Sequence, residues 1–298
     1  MISQWQQVRV PASSANLGPG FDALAVALGI YLECRFRPSD RLRIEVRGRD
    51  AALIPADESN LIWRAAAEAG AGMPPLDLQI DNQIPIGKGL GSSAAARVAA
   101  LVIADRVLEL GWQREEILDR ASRLEGHPDN VAACVLGSIV ATAVGAGGST
   151  RAVRLEMPAG FHVAAVVPNY ELPTSQMRAV LPESYPASDA IFNLQRASLL
   201  VAALATGDAR AFPMALEDRI HQPYRARVVP GLEEILALRA PGLLGCALSG
   251  AGPAVLVFLE NGAERQAERV REIFGRRGLS AEIIPAPIDR AGYQVWEA

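Results

Sequence analysis

Residues 84–96 read Ile-Pro-Ile-Gly-Lys-Gly-Leu-Gly-Ser-Ser-Ala-Ala-Ala, a glycine-rich stretch that opens an alanine-rich run. Gly87, Gly89 and Gly91 permit positive φ angles and carry no Cβ, so backbone N–H groups can converge on one point. Either of the two serines suits the N-cap of a helix, because its hydroxyl can accept a hydrogen bond from the first turn. Apolar residues at helical spacing follow, and the free N–H groups of a helix N-terminus bind anions. The stretch therefore predicts an anion site at the start of a helix.

This stretch matches neither of the two most common phosphate-binding patterns. No Lys-Ser or Lys-Thr pair follows its last glycine, and its glycines are not spaced as Gly-x-Gly-x-x-Gly. Its pattern is Pro-x-x-x-Gly-Leu-Gly-Ser-Ser-Ala. Since a lone glycine-rich loop also fits a tight turn before a core helix, the flanking chain has to decide between the two interpretations.

Composition limits the classes of protein to which the chain can belong. Its 298 residues are 50% hydrophobic and carry a formal charge of −4, which favours one large or two ordinary domains and gives no footprint for nucleic acid or an anionic membrane. Cys34, Cys134 and Cys246 are scattered in apolar contexts, which predicts buried thiols in a reducing compartment. The sequence shows no signal-peptide pattern and no long apolar span, so we expect a cytoplasmic protein.

Apolar periodicity and turn residues divide the chain into alternating strands and helices. Besides the helix after the glycine stretch, helices are predicted at residues 62–70, 115–124, 174–181, 189–206, 209–216, 231–240 and 263–277, and strands at residues 8–10, 32–37, 42–46, 76–80, 161–167, 243–248, 254–259 and 279–284, with a helix end and a strand within residues 132–144. The strands at 32–37 and 42–46 are predicted to pair with each other. The alternation favours two α+β halves that meet near the loop at residues 145–149.

Three further segments concentrate polar or turn-forming residues. Residues 13–22 read Ser-Ser-Ala-Asn-Leu-Gly-Pro-Gly-Phe-Asp, residues 125–131 read Glu-Gly-His-Pro-Asp-Asn-Val, and residues 249–253 read Ser-Gly-Ala-Gly-Pro. In the first segment, which we interpret as a loop, Asn16 and Asp22 can hold a polar ligand. Asn and Asp also cap their own backbone in turns, so turn chemistry alone can explain both residues.

These segments resemble the sequence signatures of one kinase superfamily. Residues 13–22, 85–94 and 248–253 are similar, in this order, to the three signatures of the galactokinase, homoserine kinase, mevalonate kinase and phosphomevalonate kinase (GHMP) superfamily. Three ordered matches that span most of the chain are more specific than any one of them. Three segments resemble the homoserine kinase family: residues 14–22, His-Pro-Asp-Asn-Val at 127–131 and Gln-Pro-Tyr-Arg at 222–225.

The resemblance implies a fold and an activity. The fold would be the α+β, two-domain GHMP kinase fold, with a ribosomal-protein-S5-domain-2-like ATP-binding half at residues 1–155 and a ferredoxin-like half at residues 156–298. The activity would be the ATP- and Mg²⁺-dependent phosphorylation of the L-homoserine hydroxyl, a step of threonine biosynthesis, by a homodimer. Nucleic acid and membrane would not be partners.

The resemblance also implies roles for individual residues. Glu125 and Ser93 would hold Mg²⁺, and Asn60 would lie near the adenine. The ATP phosphates would contact the glycine stretch: Pro85, Ile86, Gly87, Lys88, Gly89, Leu90, Gly91, Ser92, Ser93, Ala94 and Ala95. The amino acid would be bound by Asn16, Asp22, His127, Arg178 and Arg225. A carboxylate suits the ammonium of homoserine and two guanidiniums suit its carboxylate, although an arginine met alone is usually a surface charge.

The sequence does not identify the general base of the reaction. Asn130 stands where relatives such as mevalonate kinase have an aspartate, and an amide cannot take a proton. The residues assigned to catalysis are Asn130, Glu125 and Ser93. Our hypothesis is that the hydroxyl proton passes to the γ-phosphate of ATP. The alternative proton acceptor is Asp129. Two other functions stay open: a GHMP kinase acting on an isoprenoid alcohol or a sugar, and a non-catalytic nucleotide-binding regulator.

Overall fold

A computed structural model describes residues 4–297, except for the side chain of Thr174. It contains two sheets. The first has seven strands, in the order β11-β1-β2-β4-β3 with β5 beside β2 and β6 beside β5: β1 (Gln6–Asn16), β2 (Gly20–Pro38), β3 (Arg43–Gly48), β4 (Leu76–Asn82), β5 (Ile139–Val144), β6 (Thr150–Leu155) and β11 (Gln294–Glu297). The second has four strands in the order β10-β7-β9-β8: β7 (Phe161–Pro168), β8 (Leu243–Leu248), β9 (Val255–Glu260) and β10 (Ala281–Pro285).

Ten α-helices lie between and beside these strands in the described part of the chain. They are α1 (Leu61–Ala69), α2 (Ser92–Leu108), α3 (Arg114–Glu125), α4 (Asp129–Leu136), α5 (Thr174–Ala179), α6 (Ala187–Thr206), α7 (Phe212–Ala215), α8 (Gln222–Arg225), α9 (Leu232–Leu236) and α10 (Gln266–Arg276). No helix among residues 4–297 combines the length and the apolar character needed to cross a bilayer. The α+β class predicted from the sequence is confirmed.

Helix α2 is the central helix of the first half. Its alanines and its larger apolar residues, among them Val98, Leu101 and Ile103, are buried on more than one face, which is typical of a helix enclosed by a core. It packs against α1, α3, α4 and the first two strands. The glycine stretch is therefore anchored at its C-terminal end by a helix that the core of this half encloses.

The structure corrects several expectations about elements. The strand β3 pairs in parallel with β4, which lies between β3 and β2, so residues 32–37 and 42–46 do not form the predicted pair. Apolar alternation marks a strand but does not identify its neighbour. The segment at residues 13–22 is mostly the end of a long hairpin of β1 and β2, not a loop. The strands β6 and β11 and the helix α8 were not predicted, and of α4 only the end was predicted, within residues 132–144.

The helix start at the glycine stretch also differs from the prediction. Gly91, in the left-handed conformation at φ 70°, is the N-cap of α2, and no side chain caps the first turn. The prediction of a serine N-cap was therefore wrong. The predicted buried thiols are confirmed: all three cysteines are free and buried, and burial raises the pKa of Cys134 and of Cys246 to about 12.

Candidate functional site

The predicted segments meet at one cleft of about 110 Å³ between the two halves of the chain. Its walls come from the glycine stretch, the turn of the first hairpin, the start of α4, the turn at residues 250–252 and the helices α5 and α8. Twelve of the residues predicted to take part in binding or catalysis line it: Asn16, Asp22, Gly87, Gly89, Gly91, Ser92, Ser93, Glu125, His127, Asn130, Arg178 and Arg225. Phe21, Asp129 and Leu172 also line the cleft.

The glycine stretch is fixed by close backbone contacts with the turn before β9. Gly89 has a φ of 81°, and a Cβ built on it would lie 2.2 Å from the carbonyl oxygen of Ser249. The Ser249 hydroxyl donates to the Gly89 carbonyl at 2.7 Å, and the Ala254 N–H donates to the Lys88 carbonyl at 3.0 Å. Glycine is therefore required here for close approach as well as for its φ angle. The uncapped N-terminus of α2 points into the resulting loop, an arrangement that suits phosphate groups.

The structure places other predicted nucleotide residues away from the cleft. Leu90, Ala94 and Ala95 are buried in the apolar core, so only their backbone can contact a ligand. Pro85 and Lys88 line a separate cavity, and the Lys88 ammonium donates to the Tyr170 carbonyl at 2.8 Å. This contact holds the Lys88 side chain outside the cleft.

A second, more apolar cavity of about 240 Å³ adjoins the loop and shares Ser92 and Ser93 with the cleft. Ile86 and Asn60 line it. The Asn60 side chain is already engaged, because its oxygen accepts from the Ile62 N–H at 2.9 Å at the start of α1 and its nitrogen donates to the Pro55 carbonyl at 2.7 Å. Asn60 therefore shapes this cavity as a helix cap and has little capacity left for a ligand.

The turn of the first hairpin is held by Asn16. Its φ is 73°, its side-chain oxygen accepts from the Asp22 N–H at 3.0 Å, and its side-chain nitrogen donates to the Gly250 carbonyl at 2.9 Å. Asn16 thus joins the first signature segment to the third. The turn interpretation of Asn16 is correct for its oxygen, and the side chain fixes the position of Asp22.

Two side chains predicted to bind opposite ends of an amino acid bind each other. Arg178 of α5 donates to both carboxylate oxygens of Asp22, at 3.2 and 2.9 Å. The side chains are 41% and 34% exposed, so the pair lies at the mouth of the cleft and not in the core. An exposed pair of this kind contributes little stability, which leaves it free to open for a ligand.

Arg225 is a buried cation beside this pair. It is 2% exposed, and its guanidinium donates to the Met177 carbonyl at 3.2 Å and to the Gly250 carbonyl at 3.0 Å. Among residues 4–297 no carboxylate forms an ion pair with it. Burial, and next the positive charge of Arg178, lower the pKa of Arg225 to about 10, so it stays cationic at neutral pH. A buried cation held by carbonyl dipoles favours an anionic ligand.

His221, which was not predicted, holds Arg225 from behind. Its ring is fully buried and stacked on Phe21, with the Nε2 atom 2.7 Å from the Gly18 carbonyl and the Nδ1 atom 3.2 Å from Arg225 Nη1. A carbonyl can only accept and a guanidinium can only donate, so Nε2 carries the proton and Nδ1 accepts. His221 lies four residues before Arg225, but α8 is too short for the sequence to show that this spacing is helical.

The start of α4 brings the candidate bases to the cleft. Asp129 is 1% exposed, accepting from the Asn130 N–H at 2.7 Å and lying 3.0 Å from His127 Nδ1. Asn130 accepts from the Ser13 hydroxyl at 2.9 Å. Ligand atoms of Asp22, His127 and Asp129 all lie within 4.8 Å of one another, but Asp22 is already paired with Arg178. These side chains offer carboxylate and imidazole groups to a polar ligand in the cleft.

The predicted metal ligands do lie together. The Ser93 hydroxyl donates to Glu125 Oε2 at 3.3 Å, next to the N-terminus of α2. A hydroxyl and a carboxylate beside a phosphate loop fit Mg²⁺, which binds one or two protein oxygens together with substrate phosphates. Arg97, one turn further along α2, was not predicted. Arg97 forms an ion pair with Glu125 and donates to the Ser93 hydroxyl at 2.6 Å, and burial lowers its pKa.

Known proteins resemble this chain over its whole length. Residues 60–138 match the family model for the GHMP kinases N terminal domain, and residues 200–276 match the model for the GHMP kinases C terminal domain. The chain is 58% identical to homoserine kinase of Solibacter usitatus, with 99% of both chains covered, and 43% identical to homoserine kinase of Deinococcus radiodurans, with 98% and 97% covered. The crystal structure of homoserine kinase from Cytophaga hutchinsonii superimposes with a TM-score of 0.86 at 25% identity, covering 99% of this chain and 98% of that one.

Proposed function

The chain belongs to the homoserine kinase family of GHMP kinases, and on this premise we propose that it transfers the γ-phosphoryl group of ATP to the hydroxyl of L-homoserine, which gives O-phospho-L-homoserine. The two-domain GHMP fold predicted from the sequence is confirmed. The threonine pathway, the cytoplasmic location and the homodimer follow from the family and stay predictions.

The observation that carries the proposal is the ion pair of Asp22 and Arg178 beside the buried cation Arg225. A neutral sugar that opened this pair would leave two unpaired charges. A carboxylate without an amine, such as mevalonate, would satisfy the arginines and leave Asp22 without its partner. A zwitterionic amino acid supplies one charge of each sign, because its ammonium can replace Arg178 on Asp22 and its carboxylate can bind both guanidiniums. The site therefore favours an amino acid.

The loop and its helix supply the phosphate site. The first-turn N–H groups of α2 can donate to phosphate oxygens, and the apolar cavity beside Ser92 and Ser93 is suited to an adenine ring. Ser93 and Glu125 would hold Mg²⁺, which when bound neutralises charge on the transferring phosphoryl group. Phosphoryl transfer requires mainly positioning and charge stabilisation, and these residues provide both.

The proton of the attacking hydroxyl has two routes. Asn130 cannot accept it as a base, and its amide oxygen already accepts from Ser13. We therefore keep the γ-phosphate as the proton acceptor, with Asp129 positioning His127 and the Asn130 backbone. Asp129→Asn should lower kcat by well under about 100-fold, because removal of a general base costs about 10²–10⁴-fold. Single-turnover rates check this, and a loss within that range would identify Asp129 as the base.

The proposed function is tested by ADP release in the presence of ATP, MgCl₂ and one acceptor at a time: L-homoserine, L-serine, L-threonine or mevalonate. We expect L-homoserine to have the highest kcat/KM. The matched control is Asp22→Asn, which keeps the shape of the side chain and removes the charge that selects an ammonium group. Turnover of mevalonate equal to that of homoserine would contradict the proposal, and nucleotide binding without turnover of any acceptor would favour a regulator.

A further inference from the structure

Arg97 occupies the place where a metal ion would meet its protein ligands. It lies one helical turn after Ser93 on α2, so its side chain extends along the same face as that serine. Its Nη1 atom contacts both Glu125 Oε2 and the Ser93 hydroxyl. The side chains of Arg97 and Glu125 are 24% and 10% exposed, so this contact is largely withdrawn from water.

The charges of this cluster balance without a metal ion. Glu125 Oε2 accepts from Arg97 and from Ser93, so this oxygen is already engaged. A divalent cation placed on the same oxygen would lie beside a guanidinium and would be repelled by it. Removing Arg97 from a partly buried carboxylate also separates a desolvated ion pair, which is strongly unfavourable unless another charge compensates.

A nucleotide supplies this compensation. Its phosphates bring several negative charges to the N-terminus of α2, where they can bind a metal ion and also a displaced guanidinium. A free metal ion brings positive charge only. The Glu125 carboxylate therefore becomes available to the metal ion only when the nucleotide phosphates bind.

We propose that Arg97 is a built-in counter-ion that keeps Glu125 and Ser93 closed to free Mg²⁺ and releases them to the metal only together with nucleotide phosphates. This inference rests on the proposed function, because it takes Glu125 and Ser93 as the metal ligands. Arg97 would then be a positioning residue that acts through Glu125 and Ser93. If Arg97 only joined α2 to α3, it would have no effect on the binding of Mg²⁺.

The test is the binding of MgCl₂ alone, without nucleotide and at constant ionic strength, followed by calorimetry and by the thermal unfolding midpoint. Wild type should show no Mg²⁺-dependent rise in Tm, whereas Arg97→Gln should bind Mg²⁺ at least about tenfold more tightly, because removing a like charge from the site is worth more than 1.4 kcal/mol. Arg97→Lys, which keeps the charge, should behave as wild type. The double variant Arg97→Gln/Glu125→Gln should lose the response.

Two results would overturn the inference: Mg²⁺ binding to wild type that is as tight as binding to Arg97→Gln, or an Arg97→Gln variant that does not respond to Mg²⁺. If Arg97→Gln does not fold, wild type still decides, since Mg²⁺ must bind in the presence of ADP and not in its absence. Kinase activity on L-homoserine is measured separately on wild type. Active wild type that binds free Mg²⁺ tightly would refute the role of Arg97 and leave the proposed function intact.

Discussion

His221 positions Arg225 Nη1 by accepting a hydrogen bond from it. Its Nε2 atom must donate to the Gly18 carbonyl and its Nδ1 atom must accept from Arg225, so the ring is a single neutral tautomer. Burial lowers its pKa, an effect that outweighs the nearby Asp218 carboxylate. Asp218 in turn accepts from the backbone N–H groups of His221 and Gln222 at 3.0 and 2.6 Å. The cation that we assign to the substrate carboxylate is thus positioned by a buried polar chain.

Two amide substitutions separate the two hydrogen bonds of this ring. The oxygen of Asn can take the place of Nδ1, and the terminal nitrogen of Gln can take the place of Nε2. His221→Asn should keep the bond to Arg225 and lose that to Gly18, and His221→Gln should do the reverse. Since a hydrogen bond to a charged group contributes about 1.5–3 kcal/mol, we expect the KM for homoserine to rise about tenfold or more in His221→Gln and much less in His221→Asn.

Steady-state kinetics with saturating ATP measure this difference, and the unfolding midpoint of each variant serves as the control. Both variants should lose some stability, because each leaves one buried partner unsatisfied. The kcat should change little, since Arg225 contacts the carboxylate and not the reacting hydroxyl in the proposed complex. Equal KM values in two equally stable variants would show that the bond to Arg225 does not position it.

At the scale of single elements, the glycine stretch offers a matched pair of glycines. Gly89 and Gly262 have φ angles of 81° and 84°, so alanine at either position is strained in the same way. A Cβ on Gly89 would meet the Ser249 carbonyl oxygen at 2.2 Å, whereas a Cβ on Gly262 would meet nothing within 4 Å. Gly262→Ala should therefore cost about 1 kcal/mol of unfolding free energy, and Gly89→Ala should cost roughly 2 kcal/mol more, because backbone must also move.

Urea unfolding with a shared m-value measures the two costs, and kinase activity provides a second readout. Gly89→Ala should lose most of its activity because the clash with Ser249 displaces the loop that we propose to hold the phosphates, and Gly262→Ala should keep activity. The prediction is contradicted if the two variants lose the same free energy of unfolding, since the contact with Ser249 would then have no energetic effect.

The same scale shows which elements the sequence can predict. Helices α1, α3, α6 and α10 and most strands were predicted because each carries a local apolar period and a local stop signal. The strand β3 was predicted as a strand and given the wrong partner, because pairing depends on the α1 crossover that inserts β4. The helix α8 was missed because four residues are too few for a period, and the start of α4 was missed because its first residues are polar site residues.

Site residues divide in a similar way. Twelve of the predicted residues meet at the cleft, as the resemblance implies, whereas Pro85 and Lys88 of the glycine stretch line a separate cavity. Arg97 and His221 could not be predicted, because each acts through partners far away in sequence: Arg97 binds Glu125 and His221 binds Gly18. The ion pair of Asp22 and Arg178 was also not foreseen, because a sequence shows two charges and not the distance between them.

At the scale of the whole molecule, the end of the described chain returns to the first sheet. The strand β11 pairs with β1 in antiparallel register, from Gln6 opposite Glu297 to Arg9 opposite Gln294. The residues just before it are fixed as well, because Arg114 donates to the carbonyls of Val135, Ala291 and Tyr293. The division at residues 155 and 156 stays a prediction, and a fragment of residues 1–155 would lack this strand.

A chain that ends at Arg290 tests what this return contributes. The Tyr293 N–H donates to the Cys134 carbonyl at 2.8 Å in α4, and the buried Tyr293 ring packs under the Arg114 guanidinium. Truncation exposes the edge of β1 and removes these contacts, so we expect a lower Tm, with faster amide hydrogen exchange in β1 and α4 than in β7 and β9. Homoserine turnover should fall as well, because α4 carries Asn130 into the cleft.

The control is full-length Arg114→Ala, which keeps β11. It should loosen α4 and leave the hydrogen exchange of β1 unchanged, so that the contribution of Arg114 can be told from that of β11. If exchange rises equally in both sheets after truncation, then the return of the chain supports the whole fold rather than the wall of the cleft.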